Sequence, residues 1–191
     1  MTAITISRQL GSHGDEVGQA IADRLNYRLV SREVINRAAA RAQAPEVALA
    51  TIDDLGLLGL KPTPRAQRAY HQAVRELMQE LAAEGNIVII GRAGQVILGD
   101  NPGVLHIKVI APASLRAERI ARQQNIPLRS AQEQIRASDQ TRKDYLRRYY
   151  HVRWDDPELY DLILNTARLT PEEAACLICQ ALTQCILGGN G

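Results

Sequence analysis

A glycine-containing loop between a predicted strand and a predicted helix constrains the fold of this chain more than any other feature. Residues 3–7 (AITIS) are short, apolar and β-branched, which is typical of a buried strand. Residues 15–25 carry apolar side chains at helical spacing. In the connecting residues 11–14 (GSHG), glycines let backbone N–H groups approach an anion, and the helix terminus adds the positive end of a dipole. The segment therefore predicts a phosphate-binding loop, with a purely structural strand-to-helix turn as the alternative.

This loop departs from the standard phosphate-binding pattern, G-x-x-x-x-G-K-S/T. It contains no lysine, and Asp15 and Glu16 lie where the lysine and the hydroxyl residue are expected. Both carboxylates are stabilised by the positive end of the helix dipole, but they repel a phosphate unless they hold Mg²⁺. The loop by itself leaves both outcomes open.

The rest of the chain alternates predicted strands with predicted helices. The strands fall at residues 27–30, 86–90, 104–110 and 159–165, and the helices at residues 33–42, 65–84, 113–124, 129–150 and from 171 onward, with Thr170 as the N-cap. The continuous apolar run NIVII at 86–90 suits a parallel sheet that is covered on both faces. The alternation predicts an α/β fold with a doubly wound parallel sheet. Residues 45–64 lack periodicity and are punctuated by Gly and Pro, which predicts a mobile or inserted segment.

Composition argues against several classes of function. The net charge of +2 is small for a general nucleic-acid-binding protein, which normally carries a strong basic excess. No apolar run approaches the roughly 20 residues that cross a bilayer, and the amino terminus has no signal-peptide pattern. Cys176 and Cys179 lie on a predicted apolar helix, where we expect buried, unreactive thiols. The total of three cysteines argues against a disulfide framework and favours the cytoplasm.

Five short segments, in order, resemble the cytidylate kinase-like family. They are residues 4–18 (ITISRQLGSHGDEVG), 89–94 (IIGRAG), 104–107 (VLHI) with the Ala111-Pro112 turn, 138–142 (SDQTR) with the tyrosines that follow, and 160–166 (YDLILNT). The resemblance extends over nearly the whole chain, apart from residues 45–64. It implies a P-loop NTPase-type three-layer sandwich formed as one domain over residues 1–191. Within that domain, residues 31–85 would form a small helical acceptor-binding region and residues 125–155 a helical lid.

The resemblance implies an ATP- and Mg²⁺-dependent transfer of a phosphoryl group to a nucleoside monophosphate such as CMP. By position, it assigns binding of the donor phosphates to Gly11, Ser12, His13, Gly14, Asp15 and Glu16. It assigns catalytic roles to Arg8, Arg136 and Arg142, of which Arg8 is the cation nearest the missing lysine. It assigns acceptor binding to Arg32, Arg92, Asp139 and Arg142, and it assigns no protein metal ligand. We expect Arg92, Asp139 and Arg142 to converge at a cleft beyond the strand ends, within reach of the loop. The expected partners are nucleotides, with no nucleic acid polymer and no membrane.

Two alternatives stay open on the sequence. A nucleotide-binding protein that has lost catalysis is favoured by the missing lysine, whereas the retained arginines favour an enzyme. Ile90 and Ala93 replace acidic residues of cytidylate kinases, and Ser31 lies where relatives commonly have Asp, so the base of the acceptor nucleotide stays open. A kinase of another small acceptor is the second alternative. The long helix predicted at residues 65–84 is a candidate contact for a homodimer.

Overall fold

The computed structural model describes residues 2–31, 33–43 and 63–184. Its strands are β1 (Ala3–Arg8), β2 (Arg28–Val30), β3 (Ile87–Ile90), β4 (Val104–Ile110) and β5 (Leu162–Asn165). Its α-helices are α1 (Gly14–Leu25), α2 (Glu33–Arg41), α3 (Pro64–Glu84), α4 (Gly94–Ile97), α5 (Ala113–Gln124), α6 (Leu128–Tyr150) and α7 (Pro171–Leu182). A short 3₁₀ turn spans Pro157–Leu159.

The strands form one parallel sheet in the order β2-β3-β1-β4-β5. β1 lies at the centre, where Ile6 pairs with Ile90 of β3 and with Ile107 of β4. Because all strands run in the same direction, their carboxyl ends meet at one edge of the sheet. Helices cover both faces, so the α/β sandwich with a doubly wound parallel sheet, expected from the alternating pattern, is confirmed.

Two apolar clusters explain why β3 is apolar at every position. On one face of the sheet, Ala3 and Ile89 pack with α2, α3 and α4. On the other face, Ile4 and Ile6 pack with α1 and α7. Successive side chains of a strand point to opposite faces, so β3 is buried along its whole length. The chain has no phenylalanine, and both clusters are built mainly from Leu, Ile, Val and Ala.

The apolar stripe of α3 is used inside the protein. Ala73, Leu77 and Leu81 all pack in the cluster between α2, α4 and the sheet, and each is buried. They are three of the four apolar positions that made the helix a candidate contact for a homodimer, and the fourth, Ala69, is exposed. The three buried positions are therefore occupied by contacts within the same chain.

The last strand is shorter than the pattern predicted. We expected a strand over residues 159–165, but β5 begins at Leu162. Pro157 opens a 3₁₀ turn in which the Asp156 side chain accepts a hydrogen bond from Glu158 N at 3.1 Å. The turn takes Leu159 out of the strand.

Other boundaries differ by smaller amounts. β2 begins at Arg28, one residue later than expected. The four-residue helix α4 was not predicted, because an element of this length shows no periodicity. Most of the predicted mobile segment, residues 45–62, lies outside the described residues, and Thr63 caps α3 with Pro64 at its first position.

The cysteines of α7 are less buried than the apolar helix pattern predicted. Cys176 and Cys179 are free thiols of intermediate exposure. Ala174, Ala175 and Ile178 fill the face of the helix that packs on the sheet, so the cysteines border that face. Among the described helices, none has both the length and the apolarity needed to cross a bilayer.

We expect the N-cap of α7 to make a measurable contribution to stability. Thr170 Oγ1 accepts a hydrogen bond from Glu173 N at 3.2 Å, and Glu173 Oε2 accepts one from Thr170 N at 2.8 Å. Thr170→Ala should lower the free energy of unfolding by about 1 kcal/mol, because it leaves Glu173 N without its acceptor. Thermal unfolding followed by circular dichroism tests this. Thr183→Ala, at the other end of the helix, is the control, and equal melting temperatures for the two variants would contradict the prediction.

Candidate active site

The predicted phosphate-binding loop connects β1 to α1 at the carboxyl edge of the sheet. Gly11 and His13 both have positive φ angles, of 78° and 59°. A Cβ atom on Gly11 would lie 2.8 Å from the carbonyl oxygen of Arg116, so only glycine fits there. Ser12 is fully buried, and its hydroxyl is within hydrogen-bonding distance of the carbonyls of Gln9 (2.8 Å) and Val109 (3.1 Å). These contacts fix the loop against the sheet.

Three side chains behind the loop bind three consecutive carbonyl groups, those of residues 10, 11 and 12. Arg116 donates to Leu10 O at 3.2 Å, and Arg119 donates to Gly11 O at 3.2 Å. Thr166 Oγ1 donates to Ser12 O at 2.8 Å. Across a planar trans peptide, the C=O of one residue and the N–H of the next point in opposite directions. The N–H groups of residues 11 and 13 therefore face away from these donors, toward the front of the loop.

Neither arginine of α5 was assigned a role from the sequence, and neither was Thr166. The available signal was the three-residue spacing of Arg116 and Arg119, which places both on one side of a helix. Nothing in the sequence pattern indicates that this side of α5 faces the loop, because Arg116 and Leu10 are 106 residues apart. Thr166 belongs to a motif that was noted, but its contact with the loop spans 154 residues.

Arg8 extends from the loop toward the end of β3. Its stem packs against Gly14, where a Cβ atom would lie 2.3 Å from Arg8 Cβ. Arg8 Nε donates to Asp15 Oδ1 at 3.0 Å. Its Nη1 atom lies 2.9 Å from the position that a Cβ of Gly91 would occupy. The guanidinium group thus lies between the phosphate loop and the turn that carries Arg92.

The turn after β3 has an unusual backbone. Gly91, Arg92 and Ala93 all have positive φ angles, of 78°, 57° and 56°. Such a conformation is unfavourable for residues with a side chain, and clusters of it are found at functional sites. Arg92 is half-buried and has no hydrogen-bond partner among the described residues. Burial raises the pKa of Tyr145 on α6, and the positive charge of Arg92 partly opposes this rise. Arg92 is therefore close to both Arg8 and α6.

A partly buried ion pair between Arg116 and Asp139 fastens helix α6 to the back of the loop. Asp139 receives two hydrogen bonds from Arg116, at 3.2 and 2.8 Å, and Arg116 is 4% exposed. Arg142 lies one turn further along α6 and donates to the carbonyl and hydroxyl oxygens of Ser138. Arg136 is exposed on the same helix. Arg32 lies outside the described residues.

The first turn of α1 carries the two carboxylates. Asp15 is bound by Arg8, and Glu16 Oε1 lies 2.9 Å from His13 Nδ1. Both carboxylates are exposed. In the described part of the chain, no group of three or more His, Cys, Asp or Glu side chains is arranged to hold a metal ion. Any metal bound here would take its remaining ligands from a substrate or water.

Aromatic side chains fill the space between α3 and α6. His71 of α3 lies 4.0 Å from Tyr149 of α6, measured between ring centroids, and Tyr145 and Tyr150 lie 5.9 Å apart. Burial lowers the pKa of His71 to about 4, so its imidazole is neutral at physiological pH. These rings pack against one another and join the two helices.

A buried lysine lies on the strand next to the one that leads into the loop. Lys108 of β4 pairs with Ser7 of β1, and it is 5% exposed. Its Nζ atom donates to Trp154 O at 2.6 Å and lies 4.7 and 4.9 Å from the ring centroids of Trp154 and Tyr160. Burial lowers the pKa of Lys108 from 10.5 to about 8, although the Asp155 carboxylate partly opposes this shift.

This pKa predicts that stability rises with pH in the alkaline range. Between about pH 8 and pH 10 the unfolded chain binds more protons than the folded chain, so the free energy of unfolding increases. With about 1.4 kcal/mol per pKa unit, we expect a rise of about 2 kcal/mol from about pH 7.5 to pH 9.5. Above that range the trend should reverse, because burial raises the pKa of Tyr160 to about 12. Urea unfolding at a series of pH values tests this, and Lys108→Met should remove the rise.

Comparison with known proteins assigns the family. Residues 3–168 match the model of a family described as the cytidylate kinase-like family. The chain belongs to the cytidylate kinase-like family. It is 31% identical over 179 residues to a cytidylate kinase from Natronomonas pharaonis, covering 92% of this chain and 86% of that protein. It is 26% identical over 183 residues to a cytidylate kinase from Methanocella arvoryzae, covering 95% and 97%.

One further relative matches this chain over only part of its own length. A protein from Corynebacterium glutamicum named uronate isomerase is 29% identical over 132 residues, which are 69% of this chain but 25% of that protein. The chain therefore spans about a quarter of that relative.

Solved structures confirm the fold expected for the family. An uncharacterized protein from Eubacterium ventriosum superposes with a TM-score of 0.75 at 21% identity, covering 95% of this chain and 98% of that one. A gluconokinase from Sinorhizobium meliloti gives a TM-score of 0.58 at 17% identity, covering 99% and 98%. The three-layer P-loop kinase fold is thus shared with proteins of low sequence identity.

Proposed function

We propose that this protein transfers the γ-phosphoryl group of ATP to a nucleoside monophosphate, with CMP as the leading candidate. The observation that carries the proposal is a set of three hydrogen bonds that hold the loop, called the clamp. Arg116, Arg119 and Thr166 donate them to three successive carbonyl groups of the loop. The N–H groups on the opposite side of the loop and the amino end of α1 then form an anion site without a lysine. The family membership supports the same assignment.

Arg8 is the residue that would take over the electrostatic task of the loop lysine. It is anchored by Asp15 and lies between the loop and the Arg92 turn. A cation in this position would contact the phosphate that moves from donor to acceptor. Phosphoryl transfer depends mainly on positioned positive charge and on exclusion of water, rather than on covalent chemistry by the protein.

Arg92 and Arg142 are proposed to bind the acceptor phosphate, with Arg32 and the exposed Arg136 as further contacts. Arg92 has no hydrogen-bond partner among the described residues, which suits a group that binds a ligand. Asp139 is already bound by Arg116, so we assign it the task of holding α6 against the loop. An acceptor oxygen would form a bond to the γ-phosphorus as the bond to the β–γ bridging oxygen breaks, and ADP would leave.

Mg²⁺ fits the carboxylates at the start of α1. It is usually held in proteins by one or two carboxylates together with substrate phosphates and water. Asp15 and Glu16 are exposed on the first turn of α1, next to the loop. When bound, the ion would neutralise charge on the donor phosphates. We place the reaction in the cytoplasm, and the free thiols of Cys176 and Cys179 agree with a reducing compartment.

Two rival functions each have a specific observation in their favour. The ion pair between Arg8 and Asp15 offsets the charge of the cation nearest the loop, which favours a nucleotide-binding protein without catalysis. Ile90 and Ala93 lie beside Arg92 where the resemblance to cytidylate kinases implies acidic residues, which favours an acceptor other than CMP, including another small acceptor.

The test is a coupled assay of ADP release with ATP, Mg²⁺ and a panel of nucleoside monophosphates and small alcohols. We expect acceptor-dependent turnover that Arg92→Ala abolishes. Arg28→Ala is the matched control, because Arg28 begins β2 at the opposite edge of the sheet and is exposed. ATP binding by calorimetry without turnover on any acceptor would support the binding protein. Turnover with an alcohol alone would support the other kinase, and absence of ATP binding would overturn the proposal.

A further inference from the structure

Four side chains form a buried polar cluster, the Lys108 cluster, beside the strand that leads into the loop. They are Ser7, Lys108, Trp154 and Tyr160, and all are buried. Trp154 is central to it. Its indole N–H donates to Ser7 Oγ at 2.9 Å, and its carbonyl accepts from Lys108 Nζ at 2.6 Å and from Tyr160 OH at 2.9 Å. Both aromatic rings also lie within 5 Å of the Lys108 ammonium group, at 4.7 and 4.9 Å.

The cluster joins two parts of the proposed active site that are far apart in the sequence. Ser7 is directly followed by Arg8, whose side chain reaches from the loop to the Arg92 turn. Trp154 follows the end of α6 at Tyr150 by four residues, and α6 carries Asp139 and Arg142. A displacement of Trp154 would therefore affect both the carboxyl end of α6 and the start of the loop.

A charged lysine in such a place is costly to the fold. Burial of an ammonium group removes it from water, and the carbonyl and ring contacts compensate only in part. An apolar side chain of similar length would avoid this penalty. Stability therefore does not explain a lysine at this position, and a role in holding the site is the simpler reason.

We propose that Lys108 is a positioning residue, whose ammonium group holds the segment after α6 against the strand that leads into the phosphate loop. It touches no open part of the cleft, so it would act through Trp154, Ser7 and Arg8 rather than on a substrate. The effect of this role on turnover rests on the proposed kinase function. The effect of Lys108 on the environment of Trp154 is independent of that function.

Several charged or titratable groups face Lys108 and set its protonation. Asp139 and Lys143 face it from α6, and Asp155 faces it from the segment that follows. The two carboxylates favour the ammonium form, whereas Lys143 opposes it. Tyr160 stays protonated in the relevant range, because burial raises its pKa to about 12. Loss of the Lys108 proton should release the attraction to both rings and change the surroundings of Trp154.

The first test uses the intrinsic fluorescence of the full chain, without nucleotide, between about pH 6.5 and pH 9.5. Trp154 is the only tryptophan, so its emission reports the cluster directly. We expect one transition near the Lys108 pKa of about 8. Lys108→Met should abolish it. Lys143→Met should move it to higher pH and Asp155→Asn to lower pH, because these variants remove opposite charges near the ammonium group.

A flat emission in the wild type would overturn the inference, and so would a transition that persists in Lys108→Met. If that variant fails to fold, the opposite shifts of the Lys143 and Asp155 variants still decide the matter. In the ADP-release assay, we expect Lys108→Met to lower kcat about tenfold with little change in KM for ATP, as for loss of one hydrogen bond to a charged group. The fluorescence result stands even if no acceptor supports turnover, so failure of the kinase proposal is separable. An unchanged kcat in an active enzyme would remove the link to turnover.

Discussion

Arg116→Met is expected to lower the free energy of unfolding by about 2–4 kcal/mol, because it removes a buried guanidinium group and leaves its partly buried partner, Asp139, uncompensated. Arg116 is 4% exposed, and its side chain binds Asp139 as well as the carbonyls of Leu10 and Ala111. Its loss would free α6 from the loop and leave the two carbonyls without donors. For a chain of this size, the melting temperature should fall by about 4–16 °C.

Differential scanning calorimetry measures this change, and Arg129→Met is the matched control. Arg129 forms an ion pair with Glu133 on α6, but both side chains are exposed, at 89% and 58%. Exposed pairs of this type contribute about 0–1 kcal/mol. Equal melting temperatures for the two variants would mean that the Arg116 pair does not hold α6 to the loop.

Gly14→Ala is expected to damage the loop through a clash with the side chain of Arg8. The added Cβ would lie 2.3 Å from Arg8 Cβ and 2.7 Å from Arg8 Cγ, and it would meet Val109 only at ordinary contact distance, 3.4 Å. The methyl group must displace Arg8 from the loop. We expect a loss of about 1–3 kcal/mol of stability, as for other overpacked sites, together with a large loss of ATP-dependent turnover.

A double-mutant cycle with Arg8→Gly isolates this clash. Arg8→Gly removes both atoms that the new methyl group would meet most closely. In that background Gly14→Ala should cost little, because the atoms that its methyl group would meet most closely are gone. Equal destabilisation in both backgrounds, measured by urea unfolding, would show that the clash lies elsewhere.

The central elements of the fold could be predicted because their signals are local. The continuous apolar run of β3 and the alternation of strands with helices follow from burial on both faces of a parallel sheet. The bounds of β4 and α5 are those expected from the pattern. Where local turn chemistry competes with an apolar run, as in the 3₁₀ turn before β5, the sequence predicts the boundary less well.

The candidate site could be predicted only in part. The loop, Arg8 and Arg92 follow strands, and parallel strands bring these points to one edge of the sheet. The clamp by Arg119 and Thr166 and the Lys108 cluster depend on contacts between segments that are distant in the sequence. Which side chain a helix turns toward a loop depends on packing that periodicity does not encode. The sequence shows that Lys108 lies within an apolar strand. It does not show which side chains contact Lys108.

The replacement of the loop lysine by Arg8 is tested most directly by calorimetric titration of ATP with Mg²⁺ into the wild type and Arg8→Met. Arg8 is three-quarters buried, but its ion pair with Asp15 reaches solvent, so the variant should still fold. We predict a roughly 10- to 100-fold weaker affinity for ATP in Arg8→Met, the effect of one lost charged hydrogen bond to a phosphate. Arg28→Met, at the opposite edge of the sheet, should bind ATP as the wild type does. Equal affinity of Arg8→Met and the wild type for ATP would contradict the assignment of Arg8 to the donor phosphates.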